Sequence, residues 1–587
     1  MSSFFDDASL VMIPSGYKDG KVYSVKPTSG AGDLTFTRNS NATRVDANGL
    51  IEKVRTNLTL YSNDFSNAAW VKTNVSGTSG QSGYDGTNNG WLFTSLTAAN
   101  SSYHQFYSGT TEVQTFSVYL KAGTTNWVRL NLSGAGNYYF DIQNGVLGSI
   151  GTAGLMPKIT AAGNGYYRCS ITNTTGNSVN SIYVFAGASD GVLSTSAGDT
   201  FYIQAVQREA GGIATDYIET TTTAMSEFAG VTASSVADVP RLDYSGGATC
   251  PSLLLEPQRT NLIDNAEYLN GWSLQSGVVV SNNETTSPEG VQNAGIATAA
   301  FSNSRIQRNL GTLGSNYIFS AFVKSDGVGT RMELRSNVTG DNLILDVAAS
   351  GEVTHFSDTA VGNNYDIESY GNGWYRVWFE GTTDGASSNY YQIYPDVQSG
   401  NRSVYVWGIQ MEAGSYPTSY IPSYGTTVTR LAETTKLLDM RSNGVSTTGA
   451  FTVFFDISDE QEDAASGDNS VIFATYINNL SSGIISARKY YQSNPDGNIR
   501  WFSDVDGGTM GYSNTTNKKW AAVCNGTSVK VFTDGALVVN YTGTGSHNSL
   551  GSMQLNYGSS DRTMTAYKQC LVFPSALSDT ECENLTA

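Results

Sequence analysis

A protein that holds a sugar needs two kinds of side chain. Aromatic rings stack on the C–H faces of the pyranose, and Asn, Asp, Gln or Arg bond its hydroxyls. Two runs offer both: Gly136-Asn137-Tyr138-Tyr139 and Ser388-Asn389-Tyr390-Tyr391-Gln392. Each alternates as a strand does, so one tyrosine of each pair is expected to face a core. Tyr138, Tyr139, Tyr390 and Tyr391 are therefore candidate glycan contacts. Arg168 and Arg376 join them as an equivalent pair, with two readings open: a partly buried structural ion pair, or a ligand contact. Catalysis finds less support. The three histidines, His104, His355 and His547, stand beside no Gly-x-Ser-x-Gly elbow and in no His-rich metal motif. Carboxylate pairs for glycoside cleavage meet in space rather than in sequence, so 51 acids make no pair informative. The chain is read as no enzyme. Ser503-Asp504-Val505-Asp506-Gly507-Gly508 has an Asp-x-Asp-Gly look without a closing Glu, and is read as a surface turn.

The elements that must position these residues are written twice. Gln207-Arg208-Glu209-Ala210-Gly211, followed by Asp216-Tyr217-Ile218, returns as Gln410-Met411-Glu412-Ala413-Gly414, followed by Ser419-Tyr420-Ile421, 203 residues on. Arg55-Thr56-Asn57-Leu58 returns as Arg259-Thr260-Asn261-Leu262, and Trp70 as Trp272. Gly163-Asn164-Gly165-Tyr166-Tyr167-Arg168 returns as Gly371-Asn372-Gly373-Trp374-Tyr375-Arg376. Solenoid units run to roughly 20–50 residues, so this longer period marks a duplicated domain. Trp70 and Trp272 are expected to be core anchors.

Length suggests about three to five domains at ~100–200 residues each. With 62 Gly and abundant Thr, Ser, Asn and Tyr, the chain suits short strands joined by tight turns. No stretch keeps a helical period, so the fold class is all-β. A net charge of −18 argues against a nucleic-acid groove, which needs clustered Lys and Arg. No ~18-residue apolar run predicts membrane insertion. The N-terminus lacks the basic and apolar regions of a secretion signal. Cys169, Cys250, Cys524, Cys570 and Cys582 form no CxxC pair, and Cys570 and Cys582 alone are near enough in sequence for a bridge.

In chain order, residues 1–54 form a leader too short to bury its own core, expected to dock on its neighbour, on sister subunits or on something larger. Residues 55–222 and 259–427 are the two repeats, each a β-sandwich of jelly-roll type. The connector 223–258 carries Arg241-Leu242-Asp243, an echo of Arg44-Val45-Asp46. Residues 428–587 form a third sandwich, with an Asp534-Gly535 hairpin and a helix over 579–585 capped by Ser578 and Glu581.

The repeated Gln-x-Glu-Ala-Gly ending, the Arg-Thr-Asn-Leu opening and the Gly-Asn-Gly-(Tyr/Trp)-Tyr-Arg centre resemble carbohydrate-binding-module-like jelly rolls of phage structural proteins. The leader, with Ser9-Leu10-Val11-Met12-Ile13-Pro14 and Thr37-Arg38-Asn39-Ser40-Asn41-Ala42-Thr43-Arg44, looks like the start of such virion proteins. The Trp520 strand, the Asp534-Gly535 hairpin and the Ala576-Leu577-Ser578-Asp579-Thr580-Glu581 ending are similar to concanavalin A-like (laminin-G-like) domains. The resemblance implies a phage surface protein, either a head fibre or capsid decoration, folded in the host cytoplasm and displayed on the virion. Its leader would bind other virion proteins of capsid or tail, and its sandwiches would contact glycans. A homo-oligomer is implied, with a trimer favoured. The alternative is a tail fibre or tailspike with glycan-depolymerising activity. Jelly rolls of this kind also hold calcium near the chain entry, where Asp64, Glu209, Glu267 and Glu412 would be its oxygen ligands.

Overall fold

A computed structural model describes residues 4–587 apart from 19, 152–153, 175, 312–315, 337–339, 361–363, 382–388, 436–437, 442–444, 446–448, 463–469, 477–482, 490–498, 515–517 and 558–562. The fold is all-β, a set of tandem sandwiches with a short helix near each terminus. In the first repeat one sheet runs Leu155–Gly163, Tyr166–Asn173, Gln114–Ala122, Thr200–Ala210, Gly90–Ser95, Val75–Gln81. The facing sheet runs Val146–Ile150, Gly136–Asp141, Trp127–Leu132, Val179–Gly187, Ser102–Thr110, Val71–Thr73. The second repeat has two six-stranded sheets of matching order, centred on Ser403–Ala413 with Tyr317–Ser325 and on Asn389–Tyr394 with Thr330–Ser336. Period-2 alternation builds both cores. In Trp127–Leu132, Val128, Leu130 and Leu132 point inward and are fully buried, while Trp127, Arg129 and Asn131 point out. Trp70 and Trp272 are buried, and their indole N–H groups donate to the carbonyls of Tyr61 and Asn265.

The duplicated motif is a lock at the neck of each repeat. Gln207 Oε1 accepts from the Ile218 N–H at 2.8 Å, and Gln410 Oε1 from that of Ile421 at 2.7 Å. Asn57 Nδ2 donates to the carbonyls of Val206 and Ile218, and Asn261 Nδ2 to those of Ile409 and Ile421. The opening strands pair with the exits: Arg55–Asn57 with Met225–Phe228, and Arg259–Asn261 with Val428–Arg430.

The leader is not a free arm. Leu10–Met12 pairs with the long strand Thr563–Phe573, and Leu34–Thr37 pairs with Thr434–Thr435. Ser252–Leu255 of the connector takes the rest of the same edge of Thr563–Phe573. Leu10, Met12, Leu34, Phe36, Leu253 and Leu255 share one core with Phe451, Trp501 and Trp520 of the C-terminal sandwich. Leader, connector and C-terminal segment thus form one composite body, here called the hub, to which both repeats are joined. The leader thus docks within its own chain, the first of the placements expected for it. The physical reason is its length, which gives it no core of its own. The echoing segments lie side by side, with the Val45 N–H donating to Asp243 Oδ1 at 2.8 Å and Arg44 Nη1 to the Leu242 carbonyl at 3.0 Å.

A buried ion cluster ties these pieces together. Arg38 of the leader and Arg241 of the connector both bond Glu433, while Arg241 and Arg430 both bond Glu256, and all five side chains are sealed from solvent. Burial works to raise the Glu256 carboxyl, but Arg430 and Arg241 outweigh it and hold it at about 2. The C-terminal helix, Asp579–Thr586, has its capping box formed by Ser578 and Glu581. All five cysteines are free, and Cys570 and Cys582 lie in different core clusters.

Candidate functional site

The outward face of one sheet of the first repeat gathers rings from adjacent strands. Register places Tyr139 opposite Arg129, Arg129 opposite Phe185, Asn131 opposite Tyr183, and Tyr183 opposite His104. Opposed residues share a face, so four neighbouring strands contribute to one surface about 14 Å across. His104 stacks on Tyr183 with centroids 4.5 Å apart, and Tyr183 on Phe185 at 5.3 Å. The Arg129 guanidinium lies 4.2 Å from the Phe185 centroid. Phe106 meets His104 edge-on at 5.0 Å and is 63% exposed.

Three polar atoms on this face are buried without a partner: Arg129 Nε, Asn131 Oδ1 and His104 Nδ1. An unpaired buried polar atom costs about 1–3 kcal/mol, so three on one surface ask for an explanation. A ligand that both donates and accepts would satisfy them. Burial pushes the His104 imidazole down, so near neutral pH it is uncharged and offers one donor and one acceptor. Burial also lowers Arg129, against the opposing effect of Tyr139. Asp141, opposite Trp127 in register, accepts from Gln143 and Asn144, and Asp190 accepts from Ser149.

The same surface of the second repeat has closed on itself. Glu333 faces Tyr394 as Arg129 faces Phe185, Arg335 faces Gln392 as Asn131 faces Tyr183, and Gln392 faces Gln307 as Tyr183 faces His104. Here the groups pair with each other. Arg335 Nε donates to Glu333 at 2.6 Å, Arg331 to Asp346 at 2.7 Å, and Gln392 Nε2 and Arg305 Nε to Gln307 Oε1 at 3.1 and 3.0 Å. One copy presents stacked rings above unpaired buried polar atoms, and the other a self-neutralised charge network.

The sequence candidates divide accordingly. Tyr139 belongs to the ring-bearing face, although it is itself buried. Tyr138 faces the core and packs near Phe140 at 5.7 Å. Tyr390 is half-buried on the closed face of the second repeat. Tyr391 is fully buried among Trp272 and Phe319, which corrects its reading as a glycan contact. Arg168 and Arg376 lie on the opposite sheets, away from the ring-bearing face, and neither forms an ion pair among the described residues. Arg168 donates to Ser117 Oγ at 3.0 Å and lies 5.2 Å from the Tyr119 ring, while Arg376 donates to the Thr418 carbonyl at 2.7 Å. Trp127, Arg129, Asn131, His104, Phe106, Tyr183 and Phe185 were missed. The available signal was their spacing at alternate positions within strands.

The expected calcium ligands do not converge. Asp64 accepts from the N–H and hydroxyl of Ser66 in a local turn. Glu209 and Glu412 are buried in the two necks, where Glu209 accepts from Gln207 and Thr215, and Glu412 from Gln410 and Thr418. Burial raises the Glu209 carboxyl, against those hydrogen bonds. Glu267 binds Lys53 at 2.8 Å, and Glu289 binds the same ammonium at 2.7 Å. Burial works to lower Lys53, and the two glutamates overcome it, holding the ammonium well above its usual range. Protein donors therefore occupy the oxygens, and among the described residues no group of three His, Cys, Asp or Glu side chains is placed to hold a metal ion.

Ser503, Asp506 and His547 meet in the hub without forming a relay. The Ser503 hydroxyl and Asp506 Oδ2 approach the same ring nitrogen, His547 Nε2, at 2.9 and 3.6 Å. A relay needs the acid on the other nitrogen. Asp506 instead gathers Tyr541, Thr544 and Gly545, whose hydrogen bonds lower its carboxyl to about 2.

No family model and no curated protein matches the chain. Among solved structures it is similar to the N-terminal CBM22 tandem domain of Paenibacillus barcinonensis Xyn10C, at 11% identity over 62% of this chain and 98% of that one, with a TM-score of 0.20. An exo-β-1,3-galactanase from Phanerochaete chrysosporium with β-1,3-galactotriose matches at 9% identity over 68% and 100%, with a TM-score of 0.15. Scores this low carry nothing about this chain's ligand.

Proposed function

We propose that the chain is a non-enzymatic surface protein of a phage particle, a head fibre or decoration, that holds glycans on the ring-bearing face of its first repeat. The observation that carries the glycan reading is the coincidence of stacked rings with three unpaired buried polar atoms on one outward surface. Rings take the C–H faces of a sugar, and its hydroxyls complete Arg129, Asn131 and His104. The turn-bound state of Asp141 and Asp190 supports binding without cleavage. The virion placement is supported by the leader's resemblance to phage structural proteins and by the attachment of two modules to one hub. One open face per chain makes each contact weak, and a homotrimer repeated over a particle would convert it to retention.

A glycan array probed with the whole chain tests the reading. Phe106→Ala and Tyr183→Ala are each expected to weaken binding about 5–30-fold, from the loss of ~1–2 kcal/mol of stacking. Arg335→Ala on the closed face is expected to change nothing. Silence of the folded wild type, or equal losses in all three variants, would overturn it. Particle imaging with an antibody to the chain tests the placement.

A further inference from the structure

A cavity of about 400 Å³ lies where the hub meets the second repeat, away from the ring-bearing face. Its walls come from parts of the chain far apart in sequence: the leader hairpin at Thr43–Val45, the connector turn at Asp243–Ser252, the outer strand Tyr365–Ser369, and Arg376 with Trp378 beside it. Ser458 and Met564 of the hub close the far side.

We propose that this cavity is a second binding site, for a small neutral polyol of one or two sugar rings. Arg376 is 5% exposed and lines the cavity, and its Nε has no partner although Nη2 is used by the Thr418 carbonyl. One N–H therefore awaits an acceptor. Asp243, Glu256, Asp366 and Glu368 line the same space against Arg44 and Arg376, so a carboxylate or phosphate would meet an excess of acids and is disfavoured. A bare cation would meet the unsatisfied Arg376 donor. A hydroxyl-rich neutral molecule suits both, because each hydroxyl accepts from Arg376 and donates to an acid. Trp378 and Tyr416 supply ring surface for its C–H face. The volume falls within the range of small-molecule pockets. A ligand here touches hub and second repeat together, and so would fix their relative position.

This site does not depend on the ring-bearing face, and the test separates the two. Full-length chain is titrated with glucose, galactose, mannose, N-acetylglucosamine, sucrose and trehalose, followed by melting temperature and saturation-transfer NMR. Ser245 is exposed at the cavity mouth, so Ser245→Trp plugs the opening without disturbing a core; Arg376→Lys removes the free N–H. At least one sugar is expected to bind wild type and Phe106→Ala alike, and tenfold or more weaker to Ser245→Trp and to Arg376→Lys. Should Arg376→Lys fail to fold, Ser245→Trp alone decides. The proposal is overturned if no sugar of the panel binds, if Ser245→Trp binds as wild type does, if Phe106→Ala abolishes all binding, or if sulfate or phosphate binds in preference to every sugar.

Discussion

Truncating Phe36 to alanine tests whether the leader is part of the hub. The ring is 1% exposed, deep in the core shared by leader, connector and C-terminal sandwich. Buried Phe→Ala changes cost about 3–5 kcal/mol, and the Arg38 guanidinium 5.7 Å from the ring adds about 0.5–1 kcal/mol at most. A loss of about 4 kcal/mol is therefore expected from the hub. At a typical urea slope of about 2 kcal/mol per molar, the hub transition moves down by roughly 2 M. Urea titration read by hydrogen-exchange mass spectrometry resolves which part has opened. Peptides from Phe451–Glu462 and Lys519–Asn525 should lose protection, while those from Gln114–Ala122 in the first repeat should keep theirs. A leader that hangs free would make the change worth less than about 0.5 kcal/mol. Hub protection unchanged within that margin would refute the composite-body reasoning.

Ala205 holds φ 52° at the bulge where the second repeat has Gly408 at φ 58°. Ala205→Gly should stabilise by about 1 kcal/mol in chemical denaturation, whereas Gly408→Ala should destabilise by more, since its Cβ would fall 2.9 Å from Phe322 Cδ2. The depressed Glu256 carboxyl gives stability that is complete above its unfolded pKa near 4.5 and is lost as pH falls toward about 2. That loss is about 3 kcal/mol, measurable as the slope of unfolding free energy against pH and reduced in Glu256→Gln. Chelation with EDTA should shift the melting temperature by less than about 1 °C, because Asp64, Glu209, Glu267 and Glu412 already take protein donors; a clear drop would reinstate a calcium site.

Local and repeated signals were readable in the chain, and long-range pairing was not. The capping box at Ser578, the Asp534-Gly535 hairpin and the doubled Gln-x-Glu lock each announce themselves within a dozen residues or by recurrence. The union of Leu10–Met12 with Thr563–Phe573 joins residues more than five hundred apart, and a three-residue apolar run names no partner. The ring-bearing face escaped the sequence for a related reason. Alternation puts Trp127, Arg129 and Asn131 on one side of a strand, but which strands lie beside it is fixed by sheet order, absent from any single segment. The Tyr pairs drew attention by composition, and burial then decided among them. Arg168 and Arg376 recur because they brace equivalent sheets against Tyr119 and Phe322, a packing duty that duplication preserves as faithfully as a ligand contact.

Each repeat leaves the hub and returns to it on strands that are hydrogen-bonded neighbours, 55–57 against 225–227 and 259–261 against 428–430. Cutting either module out would leave a gap no wider than one ladder rung, which a short turn can bridge. Exchange of a module is therefore easier for the first repeat, which meets the second through Val113 and Tyr424, than for the second, whose Glu267 and Glu289 hold Lys53 of the leader.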